Sequence, residues 1–325
     1  MKILLIKLIK HDSKKEVGTI RKYNYMGARM KKVKLVYFSG TSGTARFAFL
    51  LEQNLKDKNC EVQILPLEVQ AIEKAKKDGT FGINSADIIV LLFPVHAFDS
   101  PEPVYNWIKT LPQSNGLPVA IISVSAAGEY WINRACRVGS IRALTLKGYN
   151  VFYERMIIMP FNMLINTKES MSIRLLQVLP TKAANATNEI FLMINRRTYP
   201  SLKSKILTTI CKIEKVWVKF FGKELTARKS CTLCGKCVQN CPSGNIHIKS
   251  GKPQFGWHCV ACLRCIYACP VNAIYPRISR FMPVKGGYNL NKLEKQMEGI
   301  TLESDKKLTS GAYSIFKDYL LNEDI

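Results

Sequence analysis

The order of apolar and polar positions predicts strands that alternate with helices over residues 33–197. Apolar, β-branched runs predict five strands, at residues 33–38, 60–65, 87–93, 118–124 and 151–159. Apolar residues at helical spacing predict helices at residues 45–56, 104–110, 130–147 and 180–197. Several strands lack polar alternation, as expected for strands that are buried on both faces. The pattern therefore predicts a parallel α/β sheet with helices on both sides, which binds ligands at the carboxyl ends of its strands.

A helix of a different kind follows at residues 202–223, because its apolar positions share one face and its other positions are rich in lysine. The apolar face consists of Leu202, Ile206, Ile210, Ile213, Trp217 and Phe220. The charge comes from Lys203, Lys205, Lys212, Lys215, Lys219 and Lys223. We favour a linker helix that packs against its own domains. The alternative is a helix that makes peripheral contact with an anionic membrane surface.

Composition sets limits on the class of protein. The 325 residues are 47% hydrophobic, which is enough for two domains with sizeable cores. No apolar run approaches the roughly 18 residues that a membrane span needs. The net charge of +24 is concentrated in residues 1–35, 165–225 and 226–280, and it favours acidic partners or an anionic surface. Nucleic acid is disfavoured, because no recognisable nucleic-acid motif accompanies the charge.

Eight of the eleven cysteines form two runs of identical spacing. The first run is Cys231, Cys234, Cys237 and Cys241, and the second, 28 residues later, is Cys259, Cys262, Cys265 and Cys269. Three closely spaced cysteines suit three corners of a cubane iron–sulfur cluster, whose fourth corner is met from elsewhere in the chain. Zinc would leave the duplication unexplained. A disulfide framework needs an oxidising compartment, which no export signal indicates.

Residues 228–278 resemble a bacterial two-[4Fe–4S] ferredoxin. The resemblance implies that the fourth cysteine of each run ligates the other cluster. One cluster would be held by Cys231, Cys234, Cys237 and Cys269, and the other by Cys259, Cys262, Cys265 and Cys241. Residues 226–280 contain eight basic residues and no acidic residue, so we expect clusters that are reduced more easily than those of an acidic ferredoxin. A redox protein that docks there would present an acidic surface.

The segment between the first predicted strand and helix is rich in glycine and short hydroxyls. It consists of Ser39, Gly40, Thr41, Ser42, Gly43 and Thr44. Backbone N–H groups, hydroxyls and a helix N-terminus together suit a phosphate. The lysine of a nucleoside-triphosphate loop is absent from this segment, so ATP and GTP are disfavoured. The residues fit a phosphate monoester such as that of FMN better.

Several motifs resemble the flavodoxin–ferredoxin fusion proteins of anaerobes over residues 33–280. They are VYFSGTSGT, LLFPVHAF, VSAAGEY, LKGYN, the Met-Pro pair at 159–160 and both cysteine runs. One departure is Ser42-Gly43, where that family usually has Gly-Asn. The resemblance implies a flavodoxin-like α/β fold, with a doubly wound parallel sheet of order 2-1-3-4-5 and FMN at its switch point. A small α+β ferredoxin-like domain with two clusters would follow.

The resemblance also implies that loops after the third and fourth strands hold the flavin ring. These loops contain Pro94, Val95, His96, Ala97 and Phe98, and Ser125, Ala126, Ala127, Gly128 and Tyr130. Phe98, Tyr130 or Trp131 would either stack on the ring or pack in the core, and both interpretations stay open. His96 would either bond to the flavin or be exposed to solvent.

These patterns predict five segments: a basic N-terminal extension at residues 1–30, an FMN domain at 31–198, a linker helix at 199–225, a two-cluster domain at 226–280 and a C-terminal tail at 281–325. The sequence leaves open whether the natural chain starts at Met1 or Met30. A flavin exchanges two electrons and a cluster one, so these centres predict a cytoplasmic electron carrier that relays electrons to a redox partner. Two alternatives are an FMN-dependent reductase of a small substrate or quinone, and an iron–sulfur sensor without flavin.

Overall fold

A computed structural model describes residues 29–79, 81–83, 85–211, 214–297 and 304–321. The extension predicted at residues 1–30 lies almost entirely outside this range. The first part of the described chain forms a five-stranded parallel sheet of order β2-β1-β3-β4-β5. Its strands are β1 (Lys32–Tyr37), β2 (Glu61–Pro66), β3 (Ile88–Pro94), β4 (Pro118–Ser125) and β5 (Asn150–Ile158). This is the flavodoxin-like order, so the predicted fold class is confirmed.

Helices cover both faces of the sheet. They are α1 (Gly43–Asp57), α2 (Val69–Lys77), α3 (Glu102–Thr110), α4 (Val138–Thr145), α5 (Glu169–Gln177) and α6 (Leu179–Phe191). On one face, α1 and α6 contribute Phe47 and Ile190 to the core. On the other face, α3 and α4 contribute Trp107 and Leu144. Strand β3 is buried between the two layers, which explains why its sequence shows no polar alternation.

The prediction of a helix over residues 130–147 was wrong in its first half. Helix α4 begins at Val138, and residues 131–137 form turns. The side chain of Asn133 stabilises these turns, because its Nδ2 donates to Ser125 Oγ at 2.9 Å and to the Gly128 carbonyl at 3.1 Å. A side chain that bonds to local backbone in this way competes with helix formation.

The prediction of a helix over residues 180–197 was wrong at the C-terminal end. Helix α6 stops at Phe191, and the chain then runs beside strand β5. The Arg196 N–H donates to the Phe152 carbonyl at 3.0 Å, and the Arg196 carbonyl accepts from the Glu154 N–H at 2.7 Å. Pairing with the exposed edge of β5 therefore replaces helical hydrogen bonds here. Helix α5 was not predicted.

A buried ion network joins β4 and β5 to the loop that follows β4. Arg137 is fully buried, and its guanidinium donates to Glu154 at 2.9 Å, to Glu129 at 2.8 Å and to Ser123 Oγ at 2.7 Å. Glu154 is also paired with Arg197 at 2.7 Å. Since Glu129 precedes Tyr130, Arg137 fixes one of the loops that were predicted to hold the flavin ring.

The cysteine-rich part is a small α+β unit. Its elements, with the two preceding helices, are α7 (Leu202–Cys211), α8 (Glu214–Glu224), β6 (Leu225–Ala227), α9 (Lys236–Gln239), β7 (Ile246–Lys249), β8 (Lys252–Phe255), α10 (Arg264–Tyr267) and β9 (Ile274–Pro276). Strand β6 pairs antiparallel with β9, and β7 pairs antiparallel with β8. Phe221 of α8 packs in the core of this unit with Ile246, Phe255 and Ile274. The predicted ferredoxin-like arrangement is confirmed.

The described residues after position 281 return to the flavodoxin-like part. They form α11 (Leu290–Met297), α12 (Asp305–Leu308), a 3-10 helix (Gly311–Phe316) and α13 (Lys317–Leu321). Arg46 of α1 is paired with Glu294 of α11 at 2.5 Å. Arg174 of α5 makes two bonds of 2.7 Å to Asp305. The sequence pattern predicted none of these elements.

We expect Arg137→Met to lower the free energy of unfolding by about 3–5 kcal/mol, because it leaves the buried Glu154 carboxylate without one of its two arginine partners. Denaturant unfolding followed by tryptophan fluorescence, under anaerobic conditions, measures the change. Arg142→Met is the matched control, since Arg142 is exposed on α4, and we expect it to change stability by less than about 0.5 kcal/mol. Equal stabilities of the two variants would contradict the role given to the network.

Candidate functional site

The eight cysteines of the two runs line two separate cavities. One cavity is lined by Cys231, Cys234, Cys237 and Cys269, and we call these four the outer set. The other is lined by Cys241, Cys259, Cys262 and Cys265, and we call these four the inner set. Each cavity thus combines three cysteines of one run with the fourth of the other. These are the sets that the ferredoxin resemblance implies, and their role as cluster ligands stays a prediction.

The backbone between the cysteines explains how each loop wraps around its cavity. In the first run, Leu233 and Gly235 have φ angles of 55° and 71°. In the second run, Ala261 and Leu263 occupy the equivalent positions, with φ angles of 49° and 59°. Left-handed residues that alternate with right-handed ones form a concave backbone, with several N–H groups on the same side. The duplication seen in the sequence is therefore a duplication of backbone conformation.

Backbone N–H groups also donate to the sulfur atoms. The Asn245 N–H lies 3.2 Å from Cys241 Sγ, and the Ala273 N–H lies 3.2 Å from Cys269 Sγ. These two bonds are again equivalent by the 28-residue repeat. Such bonds stabilise negative charge on sulfur, and in iron–sulfur proteins they help to set the reduction potential.

The donor set fits a cluster better than a single ion. Within the described residues, no three His, Cys, Asp or Glu side chains are grouped closely enough to hold one metal ion. A zinc site would need four thiolates around one ion, whereas these thiols surround a cavity. Burial raises the pKa of Cys259 to about 12 and that of Cys262 to about 11. Thiolates at these positions need a compensating positive charge, which the irons of a [4Fe–4S] cluster would supply.

The inner set packs against the loop that follows β1. A Cβ at Gly40 would lie 2.9 Å from Cys262 Cβ and 3.1 Å from the Cys262 carbonyl oxygen. A side chain at position 40 would therefore clash with the cysteine loop, and glycine allows the two backbones to approach. Val260 and Cys262 belong to the same buried apolar cluster as Phe38 and Phe93 of the sheet. The inner set and the sheet therefore share one core.

Arg264, two residues beyond Cys262, holds this contact. Its guanidinium donates to the Gly40 carbonyl at 2.9 Å and to the Ser39 carbonyl. It also donates to the Glu68 carboxylate at 2.7 Å and to the Asn240 carbonyl at 3.1 Å. One side chain thus joins the loops after β1 and β2 to both cysteine runs.

The loop that follows β1 consists of residues 39–44, and we call it the β1 loop. On the side away from Arg264, this loop has the chemistry of an anion site. Because Arg264 binds the Ser39 and Gly40 carbonyls, the N–H groups of those two peptide units point away from it. Within the described part of the chain, the backbone N–H groups of residues 40–44 donate to no acceptor. Ser42 has a φ of 71° and lies at the N-terminus of α1. Clustered N–H groups at a helix N-terminus fit a phosphate, so the loop fits the predicted FMN phosphate.

The hydroxyl groups of this loop are held in place by other residues. Ser39 Oγ accepts from the Ala45 N–H at 3.2 Å. Thr41 Oγ1 accepts from Asn162 Nδ2 at 2.9 Å. The Asn162 carbonyl in turn accepts from the Tyr267 hydroxyl at 2.6 Å. The sequence analysis did not identify Asn162, Tyr267 or Arg264, because no local spacing links them to the loop.

The two loops predicted to hold the flavin ring lie at the carboxyl ends of β3 and β4. Pro94, Val95, Ser125, Ala126 and Ala127 are partly buried at these ends, and Gly128 is buried. The Val95 N–H donates to the Val124 carbonyl at 2.8 Å, which joins the two loops. Ala97 and Phe98 have φ angles of 50° and 55°, so this loop turns sharply beyond β3.

The aromatic residues of these loops divide into two groups. Tyr130 and Trp131 are about half exposed, with ring centroids 6.3 Å apart, so they are available to stack on a planar ligand. Phe98 is partly buried. His96 is not freely exposed: it packs edge-to-face on Phe38 at 5.9 Å. Burial lowers the pKa of His96 to about 4, although a hydrogen bond to the Val260 backbone opposes the shift.

Comparison with known proteins identifies the cysteine-rich segment. Residues 224–270, less than half of the chain, match the family model of the 4Fe-4S dicluster domain. No curated protein matches the chain. The chain therefore combines a flavodoxin-like fold with a 4Fe-4S dicluster segment. The dicluster segment supports an electron-transfer role for the chain as an iron–sulfur protein.

Solved structures, among them flavodoxins, are similar to part of the chain. Flavodoxin 2 from Bacillus cereus is 15% identical over 50% of this chain and 98% of that chain, with a TM-score of 0.34. Rubredoxin oxygen:oxidoreductase from the anaerobe Desulfovibrio gigas is 14% identical over 51% of this chain, with a TM-score of 0.32. The chain covers 37% of the length of that second protein. At these values the likenesses carry no argument about function.

We expect Cys269→Ser to damage the cluster held by the outer set and to leave the other cluster intact. The reason is that Cys269 lines the cavity of Cys231, Cys234 and Cys237 rather than that of its sequence neighbours. EPR of the dithionite-reduced protein distinguishes the two clusters. Cys211→Ser is the control, because Cys211 lies in α7, outside both cavities. Damage confined to the cluster of the inner set would show that the assignment is wrong.

We expect Gly40→Ala to loosen the contact between the β1 loop and the inner set. A methyl group against the backbone of Cys262 overpacks the contact, at a cost of about 1–3 kcal/mol. Amide hydrogen exchange of residues 257–268, followed by mass spectrometry, should accelerate at least about fivefold. Ser42→Ala, at an exposed position of the same loop, should leave exchange unchanged. Unchanged exchange in Gly40→Ala would mean that the contact does not form as described.

Proposed function

We propose that this chain relays electrons between an FMN bound at the β1 loop and two [4Fe–4S] clusters bound by the two cysteine sets, and onward to a redox partner protein. FMN would supply two-electron chemistry and each cluster one-electron chemistry. The residues of the chain would bind these groups, keep them at fixed positions and exclude water from the region between them.

The contact between Gly40 and Cys262 carries this proposal. The same loop presents its N–H groups to one side and packs against an inner-set cysteine on the other. A flavin phosphate at this loop and a cluster at the inner set would therefore be held by one continuous core. Electron transfer between bound groups depends on short, fixed separation, and this arrangement supports it without domain motion.

The outer set is suited to exchange with a partner. Cys234 is exposed, and exposed Leu233 lies beside it. Arg228 and Lys229 are exposed on the same unit, and residues 226–280 contain no acidic residue. An apolar spot within a basic surface favours a partner that presents carboxylates around its own redox centre.

The reductase alternative receives less support from the site. A reductase of a small substrate needs a proton donor near the flavin ring. In the loop after β3, which was predicted to hold the ring, the titratable side chain is His96. With a pKa of about 4, His96 is neutral at physiological pH and is a poor donor. The exposed rings of Tyr130 and Trp131 would still allow a ligand to bind. The flavin content of the protein is therefore the first property to measure.

Anaerobic purification with assays of iron, sulfide and FMN tests the proposal. We expect about eight iron and eight sulfide per chain, from two four-iron clusters, and one FMN released by acid. Iron and sulfide without flavin would support the sensor alternative. Flavin without iron would overturn the cluster assignment.

The flavin site has its own test in Thr41→Asp. A carboxylate beside the clustered N–H groups of residues 40–44 would compete with and repel a phosphate, so FMN binding should weaken at least about a hundredfold. Thr41→Asn, which is nearly isosteric with Asp and neutral, is the matched control and should weaken binding much less. Flavin fluorescence titration of the apoprotein measures both. Equal binding by the two variants would show that the phosphate lies elsewhere, while iron content should stay the same in both.

A further inference from the structure

We propose that helix α7 is a docking surface for an anionic lipid bilayer and lies in the plane of the headgroups. We call this the basic apolar surface; it consists of Leu202, Lys203, Lys205, Ile206 and Ile210. No described helix is long and apolar enough to cross a membrane. The proposed contact is therefore with the membrane surface and does not depend on the redox groups.

Helix α7 exposes its apolar side and buries its polar side. Leu202, Ile206 and Ile210 are 72%, 51% and 58% exposed. Ser204 and Thr208, on the opposite side of the helix, are 1% and 6% exposed. Packing against the rest of the protein therefore uses small hydroxyl residues and leaves the apolar stripe free. The prediction that the apolar stripe packs inward was therefore wrong for Leu202, Ile206 and Ile210.

Basic residues flank the apolar stripe on both sides. With 3.6 residues per turn, Lys203 falls on one side of the line from Leu202 to Ile210, and Lys205 falls on the other. Both lysines are exposed. Residues 190–213 contain five basic residues and no acidic residue. A long lysine side chain can keep its stem near apolar groups while its ammonium group reaches a phosphate.

Helix α8, the next helix in the chain, also exposes apolar side chains beside lysines. Trp217 is 62% exposed and stacks edge-to-face on Phe220, with ring centroids 5.8 Å apart. Lys223 lies over the ring of Trp257 at 5.9 Å, and Trp257 is also half exposed. Exposed tryptophans with lysines are typical of segments that sit at the interface between headgroups and acyl chains.

The charge pattern favours lipid over a protein partner or a second copy of this chain. A second copy would bring the same lysines face to face, and like charges oppose that contact. An acidic protein partner could pair with the lysines, but the lysines border an apolar stripe along the full helix rather than surround a pocket. A bilayer has an apolar layer beneath a negatively charged headgroup layer. The apolar stripe of α7 would contact the first, and the flanking lysines would contact the second.

Co-sedimentation with vesicles tests the proposal. We expect the full-length protein to bind vesicles of phosphatidylcholine mixed with phosphatidylglycerol and to remain in the supernatant with phosphatidylcholine alone. Ile206→Ser with Ile210→Ser should weaken binding at least about tenfold, because less apolar area is buried. Lys203→Gln with Lys205→Gln should weaken it about fivefold per lysine. The control is Leu146→Ser with Ile165→Ser, which removes two exposed apolar residues outside the surface and should leave binding unchanged.

Two further measurements accompany the binding assay. Circular dichroism and iron content must be the same in all variants, so that a loss of binding reports the surface and not the fold. Sedimentation velocity without lipid tests for self-association. A dimer that dissociates in the isoleucine variant would overturn the proposal and assign the surface to a second copy of the chain. Failure of the wild-type protein to bind anionic vesicles, or equal binding by the isoleucine variant, would also overturn it.

Discussion

The close approach of Gly40 to Cys262 is the constraint on which the rest of the arrangement depends. A Cβ at position 40 would lie 2.9 Å from the cysteine, so two backbones meet with no side chain between them. Arg264 fixes the contact from the other side through the Ser39 and Gly40 carbonyls. Those bonds orient the loop, and the orientation turns its N–H groups toward the space where an anion would bind. One contact thus places the inner cysteine set and orients the loop that we propose as an anion site.

The sequence predicted the elements whose residues interact locally. Strand β3 was predictable because every residue in it is apolar. The cysteine runs were recognisable because their spacing repeats after 28 residues. The sequence did not predict features that depend on the hydrogen bonds of individual side chains. The turn at Asn133 replaces a helix because that side chain bonds to Ser125 and Gly128. Arg264 and Asn162 act on the β1 loop from far along the chain, so no window of sequence shows their role.

Helix α7 shows why an amphipathic pattern alone does not say which side is buried. Periodicity separates the apolar stripe from the polar positions, and both an inward and an outward orientation satisfy it. The structure buries Ser204 and Thr208, whose small side chains allow the helix to approach the protein closely. The burial of these two residues, which look unremarkable in the sequence, is what exposes Leu202 and Ile206. The orientation is therefore decided by the residues that the hydrophobic pattern ignores.

The β1 loop is also tied to the rest of the molecule by a chain of hydrogen bonds. Asn162 donates to Thr41, Tyr267 donates to the Asn162 carbonyl, and the Val284 N–H donates to the Tyr267 hydroxyl at 2.8 Å. The loop, the cysteine-rich unit and the C-terminal segment are thus linked through three side chains. If binding of an anion at the loop strengthens these bonds, docking of the cysteine-rich unit must strengthen anion binding by the same factor, because coupling free energy is reciprocal. Under that condition the affinity of the loop for its ligand is a property of the whole chain, because the hydrogen bonds that hold the loop come from the cysteine-rich unit and the C-terminal segment.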